Sequence, residues 1–229
     1  MSMILPQDRT KLLDALLWSS IFILLFVIAF YGSRYINTSL SAWGVEPRTW
    51  KGLLHMPTML FVHASPEHLW NNVLAFFILT ATLFFFYYEI AIPVFLIMWV
   101  FSPIILFLIG RDNVHVGASV LIYAEFAFLF FSGIFRRNLN MKRISMAVGF
   151  VYGYTVWYMF PIEQQVSWEG HISGFICGIM LAWCFRKQGP PEPIYRHEVE
   201  PELSDEDPFW LEIIQEKDQK PTLSDSNSE

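Results

Sequence analysis

Six long apolar runs constrain the fold of this chain more than any other feature of its sequence. A helix that crosses the hydrocarbon core of a bilayer needs about 20 mostly apolar residues and must satisfy its own backbone hydrogen bonds there. Runs of about this length cover Ala15–Tyr31, Leu69–Tyr88, Ile90–Ile109, Ser119–Phe135, Ile144–Pro161 and His171–Phe185. The sequence therefore predicts an all-α membrane protein with a bundle of six transmembrane helices.

Charge is distributed unevenly along the 229 residues. Residues 188–229 carry twelve acidic and three basic side chains, so the rest of the chain has a net charge of +3 although the formal total is −6. The acidic segment is also rich in proline, which is typical of disorder. We expect a membrane domain over residues 1–187 and an acidic, largely disordered tail over residues 188–229. The apolar cluster Pro208–Lys217 predicts either a short docking helix or a solvated stretch, and no partner for the tail is indicated.

The basic residues predict the orientation of the bundle. They lie before the first run, between the fourth and fifth, and after the sixth (Arg9, Lys11; Arg136, Arg137, Lys142, Arg143; Arg186, Lys187). Six crossings bring these sites to one side, which the positive-inside rule identifies as cytoplasmic. We expect both termini inside and the loops after the first, third and fifth spans outside.

Polar residues within membrane spans are costly, so their positions indicate where a function lies. Ser119 opens the fourth span and His171 opens the sixth, each at its outer end. His63, His68 and Asn72 lie where the second span begins, again at its outer end. Five polar groups from three spans are thus expected in one layer just below the outer surface.

A serine and a histidine in this layer indicate nucleophilic catalysis. Serine attacks a carbonyl when a base takes its proton, and histidine is the usual base near neutral pH. Gly170, Gly174 and Gly178 recur at a spacing that lets two membrane helices approach closely. That stripe is expected to bring His171 toward Ser119. The alternative for the serine is a hydrogen bond to a carbonyl of its own preceding turn.

The surroundings of the serine fit this chemistry. Gly117 removes side-chain bulk ahead of Ser119, and Tyr123 lies one turn further on the same helix face, where its ring can pack on an imidazole. Glu169 and Asp112 are the carboxylates at this level, and both are expected in loops. A Ser-His dyad is therefore a more economical interpretation than a triad.

The start of the second span supplies hydrogen-bond donors. Residues 65–67, Ser-Pro-Glu, have the cap, proline and acid typical of a helix start. His68 and Asn72 are then one turn apart on one face and, with the Ser119 N–H, can surround an oxyanion. The alternative is a structural network, which we favour for His63 but not for His68 and Asn72.

These residues form three motifs in order along the chain: H-x4-H-x3-N from His63, G-x-S from Gly117 with a tyrosine four residues on, and G-H-x-x-G-x-x-x-G from Gly170. Together they resemble the rhomboid intramembrane serine proteases, over roughly residues 12–187. Val120 departs from the pattern, because family members commonly have glycine there. Glu125 is unexpected within the fourth span, and we expect a structural role for it, either paired with another span or protonated.

The resemblance implies Ser119 as nucleophile, His171 as base, His68 and Asn72 in the oxyanion hole, and Tyr123 stacked on the base. It also implies a water-filled cavity that opens outward and substrates that are single-span membrane proteins. We expect no cofactor, no metal and no nucleic-acid partner. The compact six-span core favours the inner membrane of a bacterium, with the lipid bilayer as its surroundings.

Two other classes of protein remain as alternatives. A non-catalytic rhomboid-like protein would bind membrane helices as a chaperone or trafficking factor, and loss of the serine or histidine would indicate it. A small transporter or channel would place its polar residues at the bilayer midplane, often on broken helices. Pro93 and Pro103 are expected to interrupt the third span, but the polar layer lies at the outer edge.

Overall fold

The computed structural model describes residues 6–36, 40–162 and 166–190. Within them the chain forms seven α-helices: α1 (Pro6–Tyr35), α2 (Trp50–His55), α3 (Pro66–Phe86), α4 (Tyr88–Ile109), α5 (Ser119–Phe135), α6 (Leu139–Tyr152) and α7 (Trp168–Cys184). Three short 3₁₀ helices join them: Leu40–Trp43, Met59–Phe61 and Gly153–Met159. This all-helical architecture confirms the predicted fold class. The predicted tail helix Pro208–Lys217 lies outside the described residues, and the domain boundary after residue 187 stays a prediction.

The six predicted spans correspond in position to six of the seven helices, but they differ in length. By length and hydropathy together, α1, α3 and α4 are each able to cross a membrane. The helices α5 and α7 have 17 residues each, which is about 25 Å of helix. The fifth predicted span is wrong as a single α-helix, because α6 ends at Tyr152 and the chain continues as the 3₁₀ helix Gly153–Met159.

The third span is not interrupted by its prolines, contrary to the expectation. Pro93 and Pro103 both lie inside the continuous helix α4. Each proline removes one main-chain hydrogen bond, yet membrane helices tolerate this where neighbouring elements satisfy the freed groups. Broken helices of the transporter kind are therefore absent from this span.

The start of α3 follows its predicted capping. The Ser65 hydroxyl accepts a hydrogen bond from the His68 N–H at 3.1 Å, and Pro66 occupies the first helical turn. This cap fixes where the helix begins. It thereby determines which face of α3 carries His68 and Asn72.

Helix α5 is the centre of the bundle, since it packs against α3, α4, α6 and α7. Its closest neighbour is α7. A Cβ added to Gly174 would overlap the main-chain carbonyl of Val120, and one added to Gly178 would overlap that of Ala124. The glycine stripe thus brings the two backbones into contact, as its spacing predicts.

The loop between α4 and α5, residues 110–118, is held by the first outer loop. Val45 and His115 form an isolated antiparallel bridge, with N–H to carbonyl distances of 2.9 and 2.8 Å. Arg48 donates to the carbonyl of Gly110 at 2.6 Å and forms an exposed ion pair with Asp112. The segment that leads into α5 is therefore fixed to the segment between α1 and α2.

Candidate active site

Ser119 is the first residue of α5 and is half-buried. The backbone just before it has a conformation that only glycine adopts readily, since Gly117 has φ +112°. The N–H of Gly117 donates to the carbonyl of Met59 at 3.0 Å. The turn that presents the serine is thus held by a main-chain contact and requires glycine at one position.

His68 and Asn72 lie directly against this turn. A Cβ on Gly117 would be 2.6 Å from Cε1 of His68, 2.8 Å from its Nε2 and 3.4 Å from Nδ2 of Asn72. Nδ2 of Asn72 is buried and has no hydrogen-bond partner among the described residues. Two side chains of α3 therefore bring donor atoms to the main chain that precedes Ser119.

His171 lies in the first turn of α7 and is only 8% exposed. Its Nδ1 is 2.8 Å from the carbonyl oxygen of Tyr158. A carbonyl can only accept, so Nδ1 carries the hydrogen in this contact. In the neutral imidazole the lone pair is therefore on Nε2, where a base would need it.

Tyr123 stacks on the imidazole of His171 as the sequence analysis predicts. The ring centroids are 4.1 Å apart and the planes differ by 9°. The tyrosine hydroxyl donates to the carbonyl of Thr155 at 2.7 Å. Both rings are thus attached to main-chain carbonyls of the 3₁₀ helix Gly153–Met159. These carbonyl partners could not be predicted from the sequence, because every residue type has a main-chain carbonyl and no side chain marks the one that accepts.

Ser119 and His171 begin neighbouring helices that are in backbone contact, but they are not joined by a hydrogen bond. Neither the serine hydroxyl nor Nε2 of His171 bonds to any residue that the structure describes. Catalytic hydrogen bonds are often long or poorly aligned before a substrate binds. The hydrogen-bonding capacity of both atoms is therefore unused within the described residues.

His63 is fully buried behind this layer. Its ring packs on His68 and Phe26, with centroids 5.2 and 5.5 Å apart. Burial, with a smaller contribution from neighbouring His68, lowers the pKa of His63 to about 3. The residue is thus a neutral packing element beneath His68, which fits the structural role predicted for it.

The two acidic residues expected in loops differ in position. Asp112 does lie in the loop after α4, but Glu169 lies in the first turn of α7 and is only 2% exposed. Its Oε1 is 3.2 Å from Nε of Arg111. The loop expectation for Glu169 was wrong because the helix starts at Trp168, three residues before the predicted start at His171, after the cap Ser167.

Val120 and Glu125, the two departures from the motif pattern, are both explained by packing. The side chain of Val120 is buried in the apolar core. Glu125 is completely buried and accepts a hydrogen bond from Thr80 of α3 at 2.7 Å. Of the two alternatives for Glu125, the structure shows the contact with another span, and protonation stays a prediction.

No group of three or more His, Cys, Asp or Glu side chains within residues 6–36, 40–162 and 166–190 is placed to hold a metal ion.

Comparisons with known proteins agree with this arrangement. Residues 50–188 match the family model of the rhomboid domain. An uncharacterized protein of Mycobacterium tuberculosis (strain ATCC 25618 / H37Rv) is 32% identical over 179 residues, which cover 70% of this chain and 72% of that protein. An uncharacterized protein of Mycobacterium leprae (strain TN) is 33% identical over 136 residues, covering 53% of this chain and 52% of that protein.

Proposed function

The chain belongs to the rhomboid family, and we propose that it is an intramembrane serine endopeptidase that acts through Ser119 and His171. The observation that carries the proposal is the fixed imidazole of His171. Its Nδ1 hydrogen is held by the carbonyl of Tyr158, and its face is held by Tyr123. A histidine oriented in this way has the basic nitrogen free for a serine hydroxyl.

The reaction would proceed by acyl transfer. The oxygen of Ser119 attacks the scissile carbonyl while Nε2 of His171 takes its proton. The negative charge that develops on the carbonyl oxygen is stabilised by Nδ2 of Asn72, by His68 and by the Ser119 N–H. His171 then gives the proton to the leaving amine, and a water that it activates hydrolyses the acyl-enzyme.

The substrate class follows from the membrane setting. The protein is an integral membrane protein, and the helical backbone of a membrane substrate hides its carbonyls in internal hydrogen bonds. A single-span protein with a helix-weakening segment near the outer face presents an open carbonyl to Ser119. We place the entry of the substrate to Ser119 between α3 and α6, because these two helices scarcely touch within the described residues.

The orientation belongs to the same proposal. Both termini lie in the cytoplasm of a bacterium, and the polar layer opens at the outer face of its inner membrane. The basic residues between α5 and α6 and after α7 support this orientation. Reporter fusions to the two ends of the chain test it, because a periplasmic location of either end would contradict the assignment.

The decisive experiment replaces the serine. The purified protein in vesicles is expected to cleave a tagged single-span reporter and to react with a fluorophosphonate, and Ser119→Ala is expected to lose both. Ser132→Ala is the matched control, because it removes a hydroxyl from the same helix thirteen residues away. Cleavage that persists in Ser119→Ala would remove the serine from its role.

The missing Ser119–His171 hydrogen bond is the observation that favours a non-catalytic rhomboid-like protein instead. Such a protein would bind the reporter helix without cutting it, and it would leave the fluorophosphonate unreacted. Co-purification of intact reporter with the wild type, together with no cleavage at any enzyme concentration, identifies that alternative.

A further inference from the structure

The loop that delivers Ser119 is attached to the helix that carries His171 by side chains that the reaction itself does not use. Nε of Arg111 lies 3.2 Å from Oε1 of Glu169, and Nη2 of Arg111 donates to the carbonyl of Val166 at 2.9 Å. Arg111 is in the loop after α4, and Glu169 is two residues before His171. This ion pair therefore joins the loop that precedes α5 to the first turn of α7.

A second contact joins the same two segments. Nε2 of His115 is 3.1 Å from the carbonyl of Arg111, which can only accept, so Nε2 carries the hydrogen. Nδ1 of the neutral ring must then accept, and the hydroxyl of Ser167 lies 2.6 Å from it. The same hydroxyl oxygen accepts from the N–H of Gly170 at 3.3 Å and caps α7. Every donor in this small network has an acceptor.

Burial distinguishes these contacts from ordinary surface pairs. Glu169 is 2% exposed, whereas the side chain of Arg111 is 37% exposed. A carboxylate is costly to bury unless a partner compensates for its lost hydration. By contrast, the neighbouring pair of Arg48 and Asp112 has side chains that are 48% and 86% exposed. The chain thus places a buried acid at the start of α7, where a loop residue on the serine side pairs with it.

The opposite side of the loop is bonded to the segment between α1 and α2. His115 exchanges two main-chain hydrogen bonds with Val45, and Gly110 accepts from Arg48. The loop is thus held by main-chain contacts on one side and by its contacts with the start of α7 on the other. His171 lies in the first turn of α7.

We propose that the Arg111–Glu169 ion pair and the His115–Ser167 hydrogen bond are positioning contacts that hold His171 in register with Ser119. The inference rests on the proposed function, because it concerns the distance between the nucleophile and the base. None of these four residues touches the reacting atoms. They act through the placement of the loop and of the first turn of α7.

The test compares Glu169→Gln with Asp112→Asn in the full-length protein in vesicles. Glu169→Gln keeps the shape and removes the buried charge, and it is expected to lower kcat by about 10-fold to 100-fold with KM nearly unchanged. Its reaction with a fluorophosphonate is slower but reaches the same final extent per folded molecule. Asp112→Asn removes an equal charge from the exposed pair on the same loop, and it is expected to leave kcat within about twofold.

A second pair of variants keeps the test independent of any folding defect in Glu169→Gln. Ser167→Thr retains the hydroxyl that bonds His115, whereas Ser167→Ala removes it. We expect kcat per labelled molecule to stay near the wild-type value in the first and to fall about 10-fold in the second. Rescue by the hydroxyl alone identifies positioning through the bonds of Ser167 to His115 and to the N–H of Gly170.

The outcomes separate the inference from the proposed function. If Glu169→Gln and Ser167→Ala unfold at a lower temperature but keep the wild-type kcat per labelled molecule, the contacts serve stability alone and the inference is overturned. If the wild type neither cleaves the reporter nor reacts with the fluorophosphonate, the proposed function fails and the positioning role fails with it.

Discussion

Gly117→Ala is the most informative single change in the turn before the serine. The added Cβ would lie 2.6 Å from Cε1 of His68, whereas carbon atoms in contact are ordinarily about 3.5 Å apart. The imidazole must therefore retreat by about 0.9 Å. The main chain is also strained, because φ is +112° at this residue. Such a conformation costs a residue with a side chain about 1–3 kcal/mol.

The displaced ring is the proposed oxyanion donor, so the change acts on the transition state. A misplacement of about 1 Å can cost about 100-fold in rate, and losing one oxyanion donor costs about 100-fold to 1000-fold. We expect kcat for the single-span reporter to fall about 100-fold while KM changes little. The free energy of unfolding should fall by about 1–3 kcal/mol from the strain alone.

The assay follows reporter cleavage in vesicles and normalises it to folded protein by thermal unfolding. Gly32→Ala in α1 is the matched control, because a Cβ there meets nothing within 4 Å. That variant should have the kcat of the wild type and an unfolding temperature that is not lower, because alanine is more favourable than glycine inside a helix. If Gly117→Ala retains the wild-type kcat although it is destabilised, then the contact with His68 does not limit catalysis and the reasoning is refuted.

Two further predictions concern His63 and Tyr123. Burial holds the pKa of His63 at about 3, below its ordinary value of 6.5, so the folded state keeps the ring neutral while the unfolded chain protonates it as the pH falls below 6.5. The contribution of His63 to the free energy of unfolding is thus greatest above pH 6.5 and falls by about 2 kcal/mol between pH 7 and pH 5. His63→Phe should remove this part of the drop in unfolding temperature, and an unchanged pH dependence in the variant would contradict the prediction. Tyr123→Phe loses the bond to Thr155 but keeps the stacked ring, so its kcat should stay within about fivefold of the wild type. Tyr123→Leu loses the stacked ring, so its kcat in the same cleavage assay should be about tenfold lower than that of Tyr123→Phe. Equal kcat values for the two variants would show that the ring does not orient His171.

The main features of the site could be predicted because topology alone brings them together. Ser119, His171 and the start of the second span fall at the outer ends of three spans, and helix periodicity places His68 and Asn72 on one face. The glycine stripe of α7 likewise indicates a close helix contact without any structure. These are local or topological signals, and a single sequence carries them.

The remaining features depend on contacts between distant segments. The carbonyl of Tyr158 belongs to the main chain, and its position depends on the 3₁₀ helix after α6. No residue type in the sequence indicates that this carbonyl accepts a hydrogen bond from His171. The ion pair of Glu169 could not be predicted from the sequence, because its partner Arg111 is 58 residues earlier in the chain. The continuity of α4 through Pro93 depends on how its neighbours satisfy the freed carbonyls. These contacts form only when the helices pack together, so local sequence patterns do not indicate them.

The length of α5 has a consequence for the depth of its first residue, Ser119, in the bilayer. Its 17 residues rise about 25 Å, whereas the hydrocarbon region is about 30 Å thick. With the exposed Arg137 placed at headgroup level at one end, the other tip stops about 5 Å short of the far interface. Because α5 is enclosed by α3, α4, α6 and α7, other helices rather than acyl chains surround this short helix. Bilayer thickness thereby sets how deep a peptide bond is when it reaches the tip, so thin and thick membranes should shift the position at which a given helix is cut.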